Sequence, residues 1–173
     1  MGAARHDSVL VRDAVPDDVG QLVDLVRQLA RYERSEDAVQ ATGEDFRRAF
    51  FCPRPQVFAL VAEAGDKIIG DKIIGIAVYF VSFSTWTGRH GLYLEDLFVV
   101  PEHRSRGVGR ALLGSLAARA VARGCARLEW AVLDWNQPAI DFYRSLGAVA
   151  NDDWTTFRLS GAALAELGQT LRP

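Results

Sequence analysis

The chain has 173 residues, 49% hydrophobic and 24% charged, with a formal net charge of −2 and a pI near 5.9, a balance that fits a globular core and argues against a protein built to grip nucleic acid. No apolar run reaches the roughly 18 residues of a membrane span, and the opening MGAARHDSVLVRDA lacks the apolar core of a secretory signal. Cys52 and Cys125 make neither a disulfide framework nor a CxxC pair, which fits a reducing, cytoplasmic setting, and His6, His90 and His103 lie too far apart for a histidine-based metal motif.

Length predicts a single domain over residues 1–173. Ser8–Arg12 reads as a short first strand. Asp17 and Asp18 open a helix to about Glu33, with Val19, Leu22, Val23, Val26, Leu29 and Ala30 at helical spacing. A short helix follows near Glu44–Phe51, stopped by Pro53 and Pro55. Gln56–Ala64 and Ile73–Phe83 read as strands, and between them Asp66–Gly70 recurs as Asp71–Gly75. An insertion of odd length flips the inward face of a strand, and a hairpin turning at Gly70-Asp71 absorbs it.

Leu92–Val100 (LYLEDLFVV) is a strong strand, followed by a helix over Arg106–Arg123 that stops at Gly124. Leu128–Leu133 is a further strand, and Asn136–Leu146 a short helix closed by Gly147. Ala148–Ala150 and Thr155–Leu159 are expected as final strands and Ala162–Leu167 as a last helical turn or two. The order β-α-α-β-β-β-α-β-α-β predicts an α/β chain with at least one parallel strand pair.

The corner between Val99 and Leu113, VVPEHRSRGVGRALL, joins a strand to a helix through Arg104, Arg106, Arg110, Gly107 and Gly109. Helix N-termini leave backbone N–H groups unpaired and carry a partial positive charge. Glycine lets a ligand approach that backbone, and arginine adds charge, so the corner reads as a phosphate or pyrophosphate cradle. The alternative is a capped helix start with solvated arginines. Neither a Walker GK[ST] ending nor a GxGxxG dinucleotide fingerprint is present.

Arg104-Ser-Arg-Gly107-Val-Gly109 resembles the R/Q-x-x-G-x-G/A signature of the GCN5-related N-acetyltransferases (GNAT). With LYLEDLFV before it and DWNQPAIDFYRSLGA after it, the chain resembles the spermidine/spermine branch, which includes diamine and thialysine acetyltransferases. LARYERSED and STWTG are similar to the same branch, so the resemblance spans nearly the whole chain. It implies a mixed, strongly twisted sheet of six to seven strands flanked by about four helices. It also implies acetyl-CoA as cosubstrate, no metal and a homodimer. By resemblance the pyrophosphate sits on Arg104, Ser105, Arg106, Gly107, Val108, Gly109 and Arg110, and the pantetheine arm runs along the backbone of Leu97, Phe98 and Val99.

Glu95 and Asp96 interrupt an apolar strand, and alternation sends them to opposite faces. For Asp96 a structural role, an ion pair or a cap, is expected. Glu95 has two readings, a structural partner or a carboxylate that helps an ammonium lose its proton, directly or through water. The resemblance places substrate contact at Glu95.

Asn136 is a good N-cap with Pro138 in the first turn, and Tyr143 follows seven residues on, nearly two turns, on the same side. Read alone, these are a cap and a packed phenol. The segment matches the family's N-x-x-A/S-x-x-F-Y helix, which implies acetyl-CoA contacts at Asn136, Pro138, Ala139 and Tyr143, with Tyr143 as proton donor to the departing thiolate. A phenol with an ordinary pKa of about 10 carries that proton at neutral pH.

Tyr32, Glu33, Glu36 and Asp37 cluster after the first helix, and Asp152 and Asp153 late in the chain. Such loops are either solvated surface or an attraction for a cationic amine, with Tyr32 or Trp86 offering cation–π contact. Tyr32, Glu33, Trp86, Glu95 and Asp152 are the candidate substrate residues. The polyamine branch tends to carry an Asp just ahead of the tryptophan, whereas here Ser84 and Thr85 precede Trp86. One acidic contact of that branch is therefore missing, and the acceptor stays open among a diamine, a polyamine and an amino acid with a side-chain amine. The expected function is acetyl transfer to the primary amine of a small cationic acceptor by direct attack. The alternatives are an antibiotic amine or protein N-terminus as acceptor, or a non-catalytic acyl-CoA-binding module.

Overall fold

The computed structural model describes residues 9–64 and 72–169. Packing of the backbone divides the chain into two compact units, residues 1–131 and 132–173.

The first unit contains β1 (Leu10–Asp13), α1 (Val19–Tyr32), α2 (Gly43–Phe51), β2 (Val57–Glu63), β3 (Ile73–Ser84), β4 (Arg89–Val99), α3 (Val108–Ala122) and β5 (Leu128–Trp130). The sheet order is β1-β2-β3-β4-β5. All neighbours are antiparallel except β4 and β5, which run parallel. A parallel pair needs a crossover, and α3 supplies it. Leu60, Val61, Ile76, Ala77 and Leu92 are fully buried against Leu22 of α1 and Leu112 and Leu116 of α3. Helices cover both faces of the middle strands, which is why β2 and β3 read as nearly continuous apolar runs.

Local chemistry sets the element ends. The Thr42 hydroxyl accepts from the Asp45 amide at 3.3 Å, and the Asp45 carboxylate accepts from the Thr42 amide at 2.9 Å, a capping box that starts α2. Gly124, at φ +66°, ends the turn after α3 in the left-handed conformation that glycine tolerates. Arg12 of β1 ties the sheet to the start of α1: its Nη1 donates to Asp18 at 2.7 Å and its Nε to Glu63 of β2 at 2.8 Å. Asp18 and Glu63 are otherwise buried carboxylates, so this triad satisfies charges that water cannot reach.

The second unit contains α4 (Gln137–Ser145) and α5 (Gly161–Gln169). Asn136 caps α4, its side chain accepting from the Ala139 amide at 3.4 Å, with Pro138 in the first turn. Gly147, at φ +87°, closes it.

Several expectations are corrected. Among the described residues the sheet has five strands, not six to seven, and five α-helices accompany it rather than about four. Ala148–Ala150 and Thr155–Leu159 form no strands; a strand exists only within a ladder, and no described strand pairs with them. Leu128–Leu133 shortens to the three residues that pair with β4. β1 ends at Asp13, its register fixed by Leu10 opposite Glu63; Ser8 lies outside the described residues, as does the turn at Gly70-Asp71. α3 starts at Val108 rather than Arg106 because Gly107 is left-handed. No helix among the described residues is long and apolar enough to cross a membrane.

Candidate active site

The corner after β4 is built from a 3₁₀ turn at Pro101–His103, then Ser105 at φ 60° and Gly107 at φ 84°. A β-carbon on Gly107 would meet nothing within 4 Å, so glycine is required there for its backbone angle and the space beside it is open. Gly107 is the N-cap of α3 and gives it no side-chain cap. The first amides of that helix, at Val108, Gly109 and Arg110, therefore have no intrahelical acceptor. This turn fits a diphosphate. Arg106 and Arg110 are exposed on it.

Arg104 makes contacts within the protein. Its Nε donates to the Val99 carbonyl at 3.0 Å. Its guanidinium carbon lies 4.7 Å from the Tyr32 ring centroid and 5.5 Å from that of Phe98.

α3 is seated on the sheet at one special position. A β-carbon on Gly75 would lie 3.0 Å from the Phe98 carbonyl, 3.1 Å from Leu112 and 3.2 Å from Val108. Only glycine allows the first turns of α3 to approach β3 and β4 this closely.

β4 pairs with β5 only from Leu92 to Leu94. From Glu95 to Val99 its other edge has no strand partner among the described residues. The same point carries a β-bulge: Tyr79 lies opposite Leu94 and Val78 opposite Asp96, so Glu95 is the extra residue. The bulge breaks the alternation assumed for Glu95 and Asp96 and turns Asp96 to the side of Val78. There, burial first, then the charges of Glu95 and Glu33, push the Asp96 carboxyl up to about 6. Asp96 was expected to hold a structural partner, yet its carboxylate makes no hydrogen bond or ion pair with any described residue, its backbone being paired with Val78. Its raised carboxyl makes Asp96 a candidate site residue beside Glu95; two acids in an apolar strand were the signal, but the bulge that sets their faces was not legible.

Glu33 caps the end of α1 one residue after Tyr32, and burial raises its carboxyl too. Tyr32, Glu33, Glu95 and Asp96 thus belong to one neighbourhood of the first unit. Trp86 does not: it sits in the β3–β4 turn, 87% exposed, while Glu95 lies six residues into β4, roughly 20 Å of strand away. In the second unit Asn136 is buried and caps α4. Tyr143 lies in the last turn of that helix with its ring 5.4 Å from Phe142. Pro138 and Ala139 fill the first turn, and Asp152 is exposed. No cluster of metal-ligating side chains occurs among the described residues.

The profile of the acetyltransferase (GNAT) family matches residues 22–148. The thialysine N-epsilon-acetyltransferase of Sus scrofa is 39% identical, covering 92% of this chain and 97% of its own. The spermidine/spermine N(1)-acetyltransferase-like protein 1 of Homo sapiens is 31% identical over 93% of this chain, a match to 24% of that longer protein. Among solved structures, an integron cassette protein from the mobile metagenome of V. cholerae superposes with a TM-score of 0.76 at 28% identity, covering 94% of this chain and 98% of its own. The chain belongs to the acetyltransferase (GNAT) family.

Proposed function

We propose that the protein transfers acetyl from acetyl-CoA to the side-chain amine of a short cationic amino acid of the thialysine or ornithine type. The observation that carries this is the half-buried Asp96 carboxyl beside Glu33 and Glu95, where the β4 edge is open. An amine arrives as an ammonium and must lose a proton before it can attack. A carboxylate raised to about 6 is a stronger base than an ordinary one and is surrounded by negative charge that favours a cation. The thialysine acetyltransferase relatives support an amino-acid acceptor, as does a plant relative named for L-ornithine.

Acetyl-CoA, when bound, supplies the thioester carbonyl. Ser105, Arg106, Gly107, Val108, Gly109 and Arg110 hold its diphosphate, and the backbone of Leu97, Phe98 and Val99 holds the arm. Asp96 and Glu95 hold the ammonium and take its proton, and Glu33 adds charge. A backbone N–H of Phe98 or Val99 donates to the carbonyl oxygen as it gains charge. From the second unit, Tyr143 gives its phenolic proton to the leaving sulfur, a role assigned from the motif around it, with Asn136, Pro138 and Ala139. The enzyme works as a homodimer; Val149, Trp154 and Phe157, 92%, 66% and 91% exposed, are apolar surface of the kind a partner covers. Light scattering that finds a monomer at micromolar concentration defeats the dimer assignment.

The test is CoA thiol release across an amine panel: thialysine, lysine, ornithine, a short diamine, spermidine, an aminoglycoside and a peptide N-terminus. The highest kcat/KM is expected for the amino acids. Turnover led by the peptide or the aminoglycoside moves the acceptor class, and acetyl-CoA binding without thiol release leaves a binding module.

A further inference from the structure

The arginine that opens the glycine turn is engaged by α1 and β4. Its guanidinium is stacked on Tyr32, the last residue of α1, at 4.7 Å and on Phe98 of β4 at 5.5 Å, with Nε bonded to the Val99 carbonyl at 3.0 Å. These contacts span three segments. Tyr32 is followed directly by Glu33, whose charge acts on Asp96. Phe98 lies two residues beyond Asp96, opposite Ile76 as Asp96 is opposite Val78, so both are on one face of the sheet. Val99 is the final residue of β4, where the turn begins.

We propose that Arg104 is a positioning residue for the amine acceptor and not a phosphate ligand: it bolts the end of α1 to the part of β4 that carries Asp96. A cationic carbon over two rings combined with an Nε hydrogen bond to the Val99 carbonyl is a set of contacts that a guanidinium makes at once and an ammonium does not. The separation of Glu33 from Asp96 then depends on this clamp, so the residue governs how the acceptor's cation is held. Arg106, Arg110 and the α3 amides remain to carry the diphosphate. This proposal rests on the acetyl-transfer reading for its kinetic arm only.

The kinetic arm compares Arg104→Gln, Arg104→Lys and Tyr32→Leu. Arg104→Gln is expected to raise the amine KM by roughly 2- to 30-fold, the range of one cation–π contact, and to leave the acetyl-CoA Kd unchanged. Arg104→Lys recovers part of that loss, because the charge over the ring is kept. Tyr32→Leu reproduces the Arg104→Gln effect, and the double variant is no worse than either single one. A weakened acetyl-CoA Kd with an unchanged amine KM, or additive effects in the double variant, overturns the proposal.

The second arm needs no turnover. The arginine Nε–H resonance that disappears in Arg104→Lys is expected at ring-current-shifted frequency in the free protein and to stay in place when CoA is added to saturation. An unshifted resonance, or one that moves with CoA, overturns the clamp. If the wild-type protein acetylates no amine, the function falls and this arm alone decides the clamp.

Discussion

Asp96→Asn is expected to stabilise the protein at neutral pH while removing most of its activity. The Asp96 carboxyl is pushed from 3.8 to about 6, first by burial and then by the charges of Glu95 and Glu33. An acid raised in this way binds its proton more tightly in the folded chain than in the unfolded one. Between pH 3.8 and about 6 the folded protein keeps a proton that the unfolded chain has released, so stability falls as pH climbs through that window. At 1.36 kcal/mol per pH unit, the full displacement costs at most about 3 kcal/mol, reached above pH 6. Asparagine has nearly the same shape and no charge to bury. The variant should therefore match the wild type near pH 4 and exceed it at pH 8, by up to roughly 6–12 °C in Tm for a chain of this size. Thermal melts of both proteins from pH 4 to pH 8 read this directly. Glu33→Gln should recover part of the gain, because it removes one of the two charges acting on Asp96. Curves for wild type and Asp96→Asn that run parallel across the whole range refute the argument, since the carboxyl then has no raised pKa. In the kinetic counterpart, the acid limb of kcat/KM near pH 6 belongs to Asp96 and should vanish with it.

Tyr143→Phe should lower kcat by roughly 100-fold, the low end for losing a general acid, with acetyl-CoA affinity unchanged by calorimetry; a wild-type kcat removes Tyr143 from the chemistry. Glu95→Gln should shift the pH–rate profile, since its charge acts on Asp96, and an unmoved profile makes Glu95 structural. Arg12→Met leaves Asp18 and Glu63 buried without their cation, a loss of about 3–5 kcal/mol by denaturant titration. Burial opposes the Asp18 charge, yet Arg12 and the Val15 amide hold its carboxyl below the ordinary value. That stabilisation is present above pH 3.8 and fades as pH falls, so the gap between wild type and Arg12→Met should narrow in acid. Gly75→Ala forces contacts of 3.0–3.2 Å with Phe98, Leu112 and Val108. It should cost about 1–3 kcal/mol and raise the acetyl-CoA KM, because the first turn of α3 moves with Val108.

Strong local signals were readable from the chain alone. α1 came from spacing, α3 from its terminal glycine, α2 from its proline stop, and the turn before α3 from glycine at a strand-to-helix corner. Features set by a neighbour were not. The bulge at Glu95 lies in how β4 pairs with β3, and nothing in LYLEDLFVV shows it. The face assumed for Asp96 was off for that reason. Thr155–Leu159 has the composition of a strand but finds no ladder among the described residues. The contacts of Arg104 were equally hidden, because the motif groups it only with Gly107 and Gly109. Its stacking on Tyr32 depends on two segments some seventy residues apart meeting in space. The distance from Trp86 to Glu95 was likewise invisible until β4 was seen to run its full length between them.

The half of β4 that β5 leaves bare has a consequence for how the protein survives in a crowded solution. An unzipped strand with free amides and carbonyls is a template on which a stray chain can add and start a fibril. Here the bulge kinks that edge, two acids lie at its start, and an arginine has already taken the last carbonyl. Such a border is unattractive to another polypeptide. Ironing out the bulge by deleting Glu95 would give a straighter, less charged border, and with it a greater tendency to aggregate.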